Sequence, residues 1–179
     1  MCNGLVKVGT HANFSTRLMV ANGIFASKLC YLIQLWGGTE GYLLSHLQIL
    51  QNKAARVVTG KSWYTPTRQL LKECRWLSVR QLVFYQTVLQ VHKVMILGKP
   101  DNIRRKFSRE HPYPTRLASG GGVRMIGDSN TTSSLSQKGF QYRGTQSYNR
   151  IPAYIRKIPS LQTFKYKLKQ WVTTNIPLD

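Results

Sequence analysis

The stretch GYLLSHLQILQNKAARVVTG, residues 41–60, decides the fold class of this chain. Its apolar residues recur at alternating spacings of four and three, which places them on one face of an α-helix. They are Leu43, Leu47, Leu50, Ala54 and Val57. The polar residues fall mainly on the other side (Gln48, Asn52, Lys53 and Arg56), and Gly60 ends the pattern. We therefore predict an amphipathic helix whose apolar face packs on neighbouring helices.

Helical patterns continue on both sides of this stretch. Upstream, residues 14–35 carry apolar residues at helical spacing (Phe14, Leu18, Ala21, Phe25, Leu29 and Leu32). Downstream, TPTRQLLKEC predicts a short helix, and Ser78 is placed to cap a long helix from Val79 to Leu97. That long helix is apolar almost all the way round, which predicts a central, buried position. A last helix starts at Pro159–Ser160, with its apolar stripe on Leu161, Phe164, Leu168 and Trp171.

The composition changes at residue 99, where cations, prolines and then glycines and serines replace the helical pattern. Segments such as SGGG (119–122) are typical of flexible loops. We therefore predict a mainly α-helical protein: a bundle of three principal helices with a basic irregular arm and a C-terminal helix packed back on it. The predicted divisions are a helical bundle (1–98), a basic loop-rich arm (99–137) and a C-terminal docking motif with a basic helix (138–179).

The charge of the chain is its strongest functional signal. Lys and Arg number 26 against 6 Asp and Glu, for a net charge of +20. Such an imbalance predicts attraction to polyanions, to nucleic acid first and anionic membrane second. The apolar stretch 18–36 is interrupted by Asn22, Lys28 and Gln34, so we interpret it as a buried helix and expect no membrane partner.

The sequence carries no recognisable catalytic site. The acidic residues are scattered, whereas two-metal polymerase or nuclease chemistry needs converging carboxylates. We find no Walker loop, nucleophile elbow or dinucleotide fingerprint, and we expect no cofactor. The three cysteines form no C-x-x-C pair, so neither a zinc ribbon nor a disulfide framework is indicated, and a reducing nuclear or cytoplasmic compartment is expected.

The stretch KGFQYRGTQSYNRIP (138–152) opens like the octamer of RNA-recognition sheets, but Gln141 stands where that motif has Gly or Ala. No partner strand precedes it, so this interpretation is rejected. We expect the aromatic residues to dock the tail on the bundle, Gly144 to permit a tight turn, and Tyr148–Asn149 to begin a short helical turn that Pro152 ends. Whether Lys138 and Arg143 also contact phosphate stays open.

Six segments in order resemble the region downstream of the palm in reverse transcriptases of jockey-like non-LTR (LINE-type) retrotransposons. They include the aromatic helix ending at Leu35-Trp36-Gly37, the run 47–56, Thr59-Gly60, the helices within 65–94, HPYPTR (111–116) and the closing F-x-Y-R-G-x-x-x-Y-N-x-I-P of 140–152 with its basic helix. The resemblance covers about residues 25–172. Tyr148 and Ile151 stand where the family usually has Trp and Leu.

The palm with its metal-binding aspartates and the endonuclease are both missing from this sequence. The resemblance therefore implies a thumb-like and post-thumb fragment that grips template RNA or an RNA–DNA primer duplex, is not an enzyme on its own, and has a reverse-transcriptase palm as a partner. The alternative is a basic structural or interaction subunit of a ribonucleoprotein.

The cations predicted to bind nucleic acid fall in three parts of the chain: the arm, the docking motif and the last helix. The arm offers charges close together in sequence, with aromatic residues between them, and prolines expected to keep it extended. Its aromatic residues, Phe107 and Tyr113, either stack on unpaired bases or pack on the bundle. The full predicted set is Arg104, Arg105, Lys106, Arg109 and Arg116 of the arm, Lys138 and Arg143 of the docking motif, and Lys165 and Lys169 of the last helix.

Overall fold

Helices make up most of the described chain, and the predicted mainly α-helical class is confirmed. The computed structural model describes residues 12–39, 41–110, 113–125 and 137–178. These residues form two compact units. The N-terminal unit comprises the described residues within 1–33 and 39–82, with 177–178, and the C-terminal unit comprises 34–38 and the described residues within 83–176. The divisions predicted at 98 and 137 stay predictions.

The described elements follow one another along the chain. In order they are α1 (Phe14–Ala21), a π-helical turn (Asn22–Ala26), α2 (Ser27–Cys30), α3 (Ile33–Trp36), α4 (Gly41–Thr59), α5 (Thr67–Cys74), α6 (Val79–Leu97), α7 (Asp101–Arg104), β1 (Phe107–Ser108), α8 (Arg116–Ser119), β2 (Arg124–Met125), α9 (Phe140–Arg150), α10 (Ala153–Arg156) and α11 (Leu161–Asn175).

The predicted single helix over 14–35 is interrupted twice. A π-helical turn follows α1, with the Ser27 N–H bonded to the Asn22 carbonyl, and the chain breaks again at Leu32, whose φ is 47°. The π turn inserts an extra residue and so brings two side chains onto Trp76: the indole Nε1 donates to Asn22 Oδ1 at 2.9 Å, and Phe25 stacks on the ring at 6.1 Å. Tertiary contacts with Trp76 thus override the regular helical pattern.

The buried face of α4 differs from the predicted one in its first half. Leu43 and Leu50, expected to pack, are both 41% exposed, whereas Gln48 and Gln51, of which Gln48 was expected to face solvent, are buried. In the second half Ala54 is buried as predicted, together with Ala55 and Val58. The prediction was therefore wrong where α4 begins and right near its end.

The buried glutamines serve the backbone of a distant segment. Gln48 Oε1 accepts from the Val79 N–H at 2.8 Å, at the start of α6, and Gln51 Nε2 donates to the Leu77 carbonyl at 2.9 Å. Gln48 Nε2 also donates to Gln51 Oε1 at 2.9 Å, so the two amides satisfy each other. A first-turn N–H of a helix has no intrahelical partner, and Gln48 supplies one to α6 from thirty-one residues away.

Small residues let α4 and α5 approach closely in the N-terminal unit. Its core contains three alanines, and Leu18, Val20, Phe25, Val57 and Trp76 pack around it as partly buried side chains. The fully buried members are Ala21, Ala54, Ala55, Val58, Leu70 and Cys74. Because alanine side chains are short, the helix backbones can approach closely and still leave no gap between the packed faces.

Helix α6 is bounded as the sequence predicts. Ser78 and Gln81 form a reciprocal capping box, in which Ser78 Oγ accepts from the Gln81 N–H and Gln81 Oε1 accepts from the Ser78 N–H. Gly98 ends the helix in the left-handed region, with φ of 69°. Apolar residues are buried along most of its length, which confirms that this helix is buried as predicted. No helix within the described ranges is long and apolar enough to cross a membrane.

The C-terminal unit is built around the aromatic contacts of His92. Its ring lies parallel to Phe164, with centroids 3.4 Å apart, and stacks on Tyr148, whose hydroxyl lies 3.1 Å from His92 Nδ1. All three side chains are fully buried. Helices α6, α9 and α11 therefore meet at this cluster. As predicted, a last helix starts here and its stripe of Leu161, Phe164, Leu168 and Trp171 turns inward; Ser160 is its N-cap.

The predicted turn at Gly144 and the short turn from Tyr148 to Pro152 are both wrong. Residues 140–150 form one regular helix, α9, which ends at Ile151 in an extended conformation. Gly144 is buried in this helix, and a Cβ there would lie 2.9 Å from Val91 Cγ2 of α6. The glycine is needed for close helix–helix approach, and no turn is present at this position.

Candidate nucleic-acid interface

A two-stranded antiparallel ribbon organises part of the segment predicted as an irregular arm. Strand β1 pairs with β2 so that Phe107 lies opposite Met125 and Ser108 opposite Arg124. The Arg124 Nε donates to the Glu110 carbonyl at 2.7 Å, which ties the end of β1 to β2. The pairing brings exposed Arg124 beside the predicted arm cations, although it lies sixteen residues from Ser108 and was missing from the predicted set.

The arm cations differ in how freely they present their charge. Arg105 and Lys106 are exposed at the turn between α7 and β1. Arg104 is half-buried, and its Nη1 donates to the Phe107 carbonyl at 2.7 Å. It therefore closes the turn that holds Arg105 and Lys106 outward. Arg116 is exposed at the start of α8, which Thr115 caps.

Arg109 is exposed but also acts on buried neighbours. Burial lowers the pKa of His92 from 6.5 to about 4, and the charge of Arg109 contributes to the lowering. Burial raises the pKa of the Tyr148 hydroxyl, while Arg109 opposes that rise through its charge and a hydrogen bond. Arg109 therefore lies next to the aromatic cluster of the C-terminal unit, so its replacement would disturb both surface charge and core.

The two aromatic residues of the arm have different environments. Phe107 is fully buried and packs edge-to-face on Phe140 at 6.1 Å, so the packing alternative holds for it and base stacking is excluded. Tyr113 is exposed. The HPYPTR stretch is described only from Tyr113 onward, and His111 and Pro112 lie outside the described residues.

The docking-motif cations also differ from each other. Arg143 is half-buried, donating from Nη2 to the Gln34 carbonyl at 2.5 Å and from Nε to the Lys138 carbonyl at 2.8 Å. Burial lowers the pKa of its guanidinium. These bonds give Arg143 a positioning role between α3 and α9, and its predicted phosphate contact stays a prediction. Lys138 is exposed.

Helix α11 presents a polar face opposite its buried stripe. Lys165 and Lys169 are exposed, one helical turn apart, as predicted. Tyr166, also exposed, follows Lys165 on this side of the helix and was missing from the predicted set. The signal was present in the sequence, since an aromatic residue between lysines lies off the apolar stripe of Phe164 and Leu168.

One buried arginine, Arg156, anchors the glycine loop after α8. Arg156 Nε donates to the Gly120 carbonyl at 3.0 Å, and Arg156 Nη1 donates to the Asn149 carbonyl at 2.9 Å. A Cβ at Gly120 would lie 2.7 Å from Arg156 Nη2. The segment predicted as a flexible loop is therefore held by a buried guanidinium, and a glycine at 120 leaves room for it.

The described residues offer little acid–base or metal chemistry. They contain no cluster of three or more His, Cys, Asp or Glu placed to hold a metal ion. Burial, with a smaller contribution from the neighbouring charge of Glu73, raises the pKa of the Cys74 thiol to about 11. Cys74 therefore stays a protonated thiol at neutral pH, which is a poor nucleophile.

Comparison with known proteins adds no relative: no family model, no curated protein and no solved structure matches this chain.

Proposed function

We propose that this chain is a non-catalytic nucleic-acid-binding fragment of a retrotransposon reverse transcriptase. It holds template RNA or an RNA–DNA duplex. The observation that carries the proposal is the density of exposed cations in the C-terminal unit, where Asp101 and Glu110 are the acidic residues within the described ranges. The exposed cations near the ribbon are Arg105, Lys106, Arg109, Arg116 and Arg124, and those on α11 are Lys165, Lys167 and Lys169.

The chemistry of this surface suits phosphate and not a particular base sequence. Lysine and arginine side chains neutralise phosphates and release counterions, which gives affinity without sequence readout. The chain itself binds the nucleic acid, and its partner, the palm of a reverse transcriptase, carries out the metal-dependent chemistry. This assignment places the protein inside the cell, in the nucleus or cytoplasm.

The salt dependence of binding tests the proposal. Neutralising about five phosphates gives a log–log slope of roughly −3.5 on single-stranded RNA. Replacing Arg105, Lys106 and Arg116 together by Ala should flatten that slope by about two units, uniformly across sequences. These three side chains are exposed, so helicity by circular dichroism should be unchanged. An unchanged slope would place the binding surface elsewhere.

A matched variant separates charge from contact. Changing Arg105 and Arg116 to Lys, with Lys106 retained, keeps the charge and should keep the slope. Arg104, Arg109 and Arg143 are left intact in both variants because their side chains bond or adjoin buried groups. Failure of the wild-type protein to bind RNA or RNA–DNA duplex at moderate salt would contradict the proposal as a whole.

The second candidate is a basic subunit of a ribonucleoprotein, and the exposed face of α4 favours it. Tyr42, Leu43, Ile49 and Leu50 repeat at seven-residue spacing and are substantially exposed. An apolar stripe of this kind is typical of a protein contact. Binding of naked RNA at moderate salt favours the first function, and strict dependence on a protein partner favours the second.

A further inference from the structure

The turn between α4 and α5 exposes two large aromatic side chains. The Thr65 N–H donates to the Ser62 carbonyl at 3.1 Å, which closes a β-turn with Trp63 and Tyr64 at its two central positions. Trp63 is 63% exposed and Tyr64 is 92% exposed. Central turn positions usually carry Pro, Gly, Asn or Asp, which set the backbone geometry at little cost. Side chains this exposed add little to the core, so packing does not explain their presence.

Trp63 is held in place from one side. The Arg56 guanidinium carbon lies 4.5 Å from the centre of the Trp63 ring, in cation–π geometry. Arg56 comes from the last turns of α4 and also donates from Nη2 to the Thr65 carbonyl at 3.5 Å. The guanidinium covers one face of the indole, and the large exposed fraction leaves the other face open. A ring oriented before binding loses less conformational entropy when a ligand stacks on it.

The turn connects two helices that pack on each other. Helix α4 ends at Thr59 and is followed by Gly60, which has φ of 67°, and α5 begins at Thr67 directly after Pro66. These helices share the buried core that includes Ala55, Val58, Leu70 and Cys74. Both ends of the turn are therefore fixed by packed helices, and the position of its aromatic side chains is set by them.

The charge around the turn selects the ligand. Residues 53–75 contain six cations and one acid, for a local net charge of +5. The acid is Glu73, and it is paired with Lys61. Lys53 and Arg68 are exposed. Aromatic rings among excess cations fit a ligand with flat rings and negative charges, which is the chemistry of single-stranded nucleic acid.

We propose that Trp63 and Tyr64 form a stacking platform for unpaired bases, made of residues other than those of the cationic surface of the C-terminal unit. The inference rests on the proposed function, because it adds a base contact to a chain that binds phosphates. The platform recognises the π-faces of unpaired bases and has no sequence preference, since every base has such a face. A paired duplex hides those faces, so the platform discriminates single strands from duplexes.

Dissociation constants for oligouridine and for a fully paired RNA duplex test this. Trp63→Ala and Tyr64→Ala should each weaken oligouridine binding about 5- to 150-fold and leave duplex binding nearly unchanged. The salt slope should stay at the wild-type value because neither substitution removes a charge. Trp63→Phe keeps a ring for stacking and should retain most of the affinity.

Tyr154→Ala is the matched control, because Tyr154 is 66% exposed, close to the value of Trp63, but lies on α10. It should bind both RNAs as the wild-type protein does. Because Tyr64 is almost fully exposed, Tyr64→Ala leaves the core intact. A loss of binding in this variant therefore cannot be attributed to misfolding. If Trp63→Ala and Tyr64→Ala both bind oligouridine with wild-type affinity, the platform is overturned and the exposed turn is better explained as a contact with a protein partner. The proposed function then still stands.

Equal losses on oligouridine and duplex also overturn the platform, because they indicate a general change and not stacking. A wild-type protein that binds neither RNA overturns the proposed function and the platform together. The arm variant Arg105→Ala, Lys106→Ala, Arg116→Ala distinguishes the two surfaces: it should flatten the salt slope on both RNAs, whereas the platform variants should not.

Discussion

Asn149 pairs with the backbone of Val123 through both ends of its side-chain amide. The Val123 N–H donates to Asn149 Oδ1 at 2.9 Å, and Asn149 Nδ2 donates to the Val123 carbonyl at 2.7 Å. This is the pattern that a neighbouring β-strand would make. The Asn149 side chain, which belongs to α9, thus pairs both backbone polar groups of Val123. Val123 lies just before β2, twenty-six residues earlier in the chain.

Asn149→Asp should therefore destabilise the fold, although the two side chains have nearly the same size and shape. A carboxylate oxygen would replace Nδ2 and face the Val123 carbonyl, so that a hydrogen bond becomes a repulsion. We expect the free energy of unfolding to fall by about 1–3 kcal/mol, measured by urea denaturation near neutral pH. Asn102→Asp is the control, because exposed Asn102 uses its Oδ1 as an acceptor for the Ile103 N–H, a role that aspartate keeps. Equal stability of the two variants would contradict this account.

Gly144→Ala tests the close approach of α9 to α6. Alanine normally stabilises a helix interior relative to glycine, but a Cβ here would meet Val91 Cγ2 at 2.9 Å. We expect a net loss of stability of about 1–3 kcal/mol by thermal or urea unfolding, from overpacking. Gly23→Ala is the contrasting substitution, since a Cβ at that position would have no atom within 4 Å, and it should raise stability by about 0.5–1 kcal/mol. Adding Val91→Ala to Gly144→Ala should restore part of the loss, and no rescue would argue against the clash.

His92 should make the stability of the protein depend on pH. Its pKa in the folded protein is lowered to about 4 by burial and then by Arg109, from 6.5. In this window the unfolded chain binds a proton that the folded chain does not, so stability rises as pH increases from about 4 to about 6.5. The full effect is at most about 3 kcal/mol. Denaturation midpoints across this range measure it.

His92→Gln should lose most of that dependence, because glutamine does not titrate and still offers a polar atom toward Tyr148. His46→Gln, at an exposed position on α4, should retain the wild-type pH profile. If both substitutions leave the same profile, His92 is not its source. The chain has 6 acidic residues, so their contribution to the profile is small compared with that in an ordinary protein.

Purified protein should extend no primer on an RNA template with Mg²⁺ or Mn²⁺. Two-metal catalysis requires carboxylates that converge on the ions, and the proposed function assigns that chemistry to the palm of a reverse transcriptase. Incorporation of nucleotides is the measurement, with an active reverse transcriptase as the positive control. Extension that disappears when Glu73, Asp101 or Glu110 is changed to the corresponding amide would contradict the non-catalytic assignment.

The sequence alone determined the elements whose signals are local. The cap at Ser78, the stop at Gly98 and the apolar stripe of α11 depend on signals within a few residues, so periodicity and capping rules predicted them. The exposed lysines of α11 follow from the same pattern, since residues opposite a buried stripe face solvent. The helical class and part of the candidate interface were predictable for this reason.

Tertiary structure decided where distant residues had to meet. Leucine periodicity predicted the face of α4, but burial of Gln48 was decided by the unpaired N–H of Val79. A turn was predicted at Gly144, but the structure places it inside α9, where Val91 of α6 packs against it. The contact of Arg143 with the Gln34 carbonyl joins residues that are far apart in sequence, so no local pattern could predict it. The Trp63–Tyr64 turn became visible only through exposure and the Arg56 contact. Sequence pattern reports which residues favour burial, whereas hydrogen-bond satisfaction and close approach depend on partners that only the folded chain brings together.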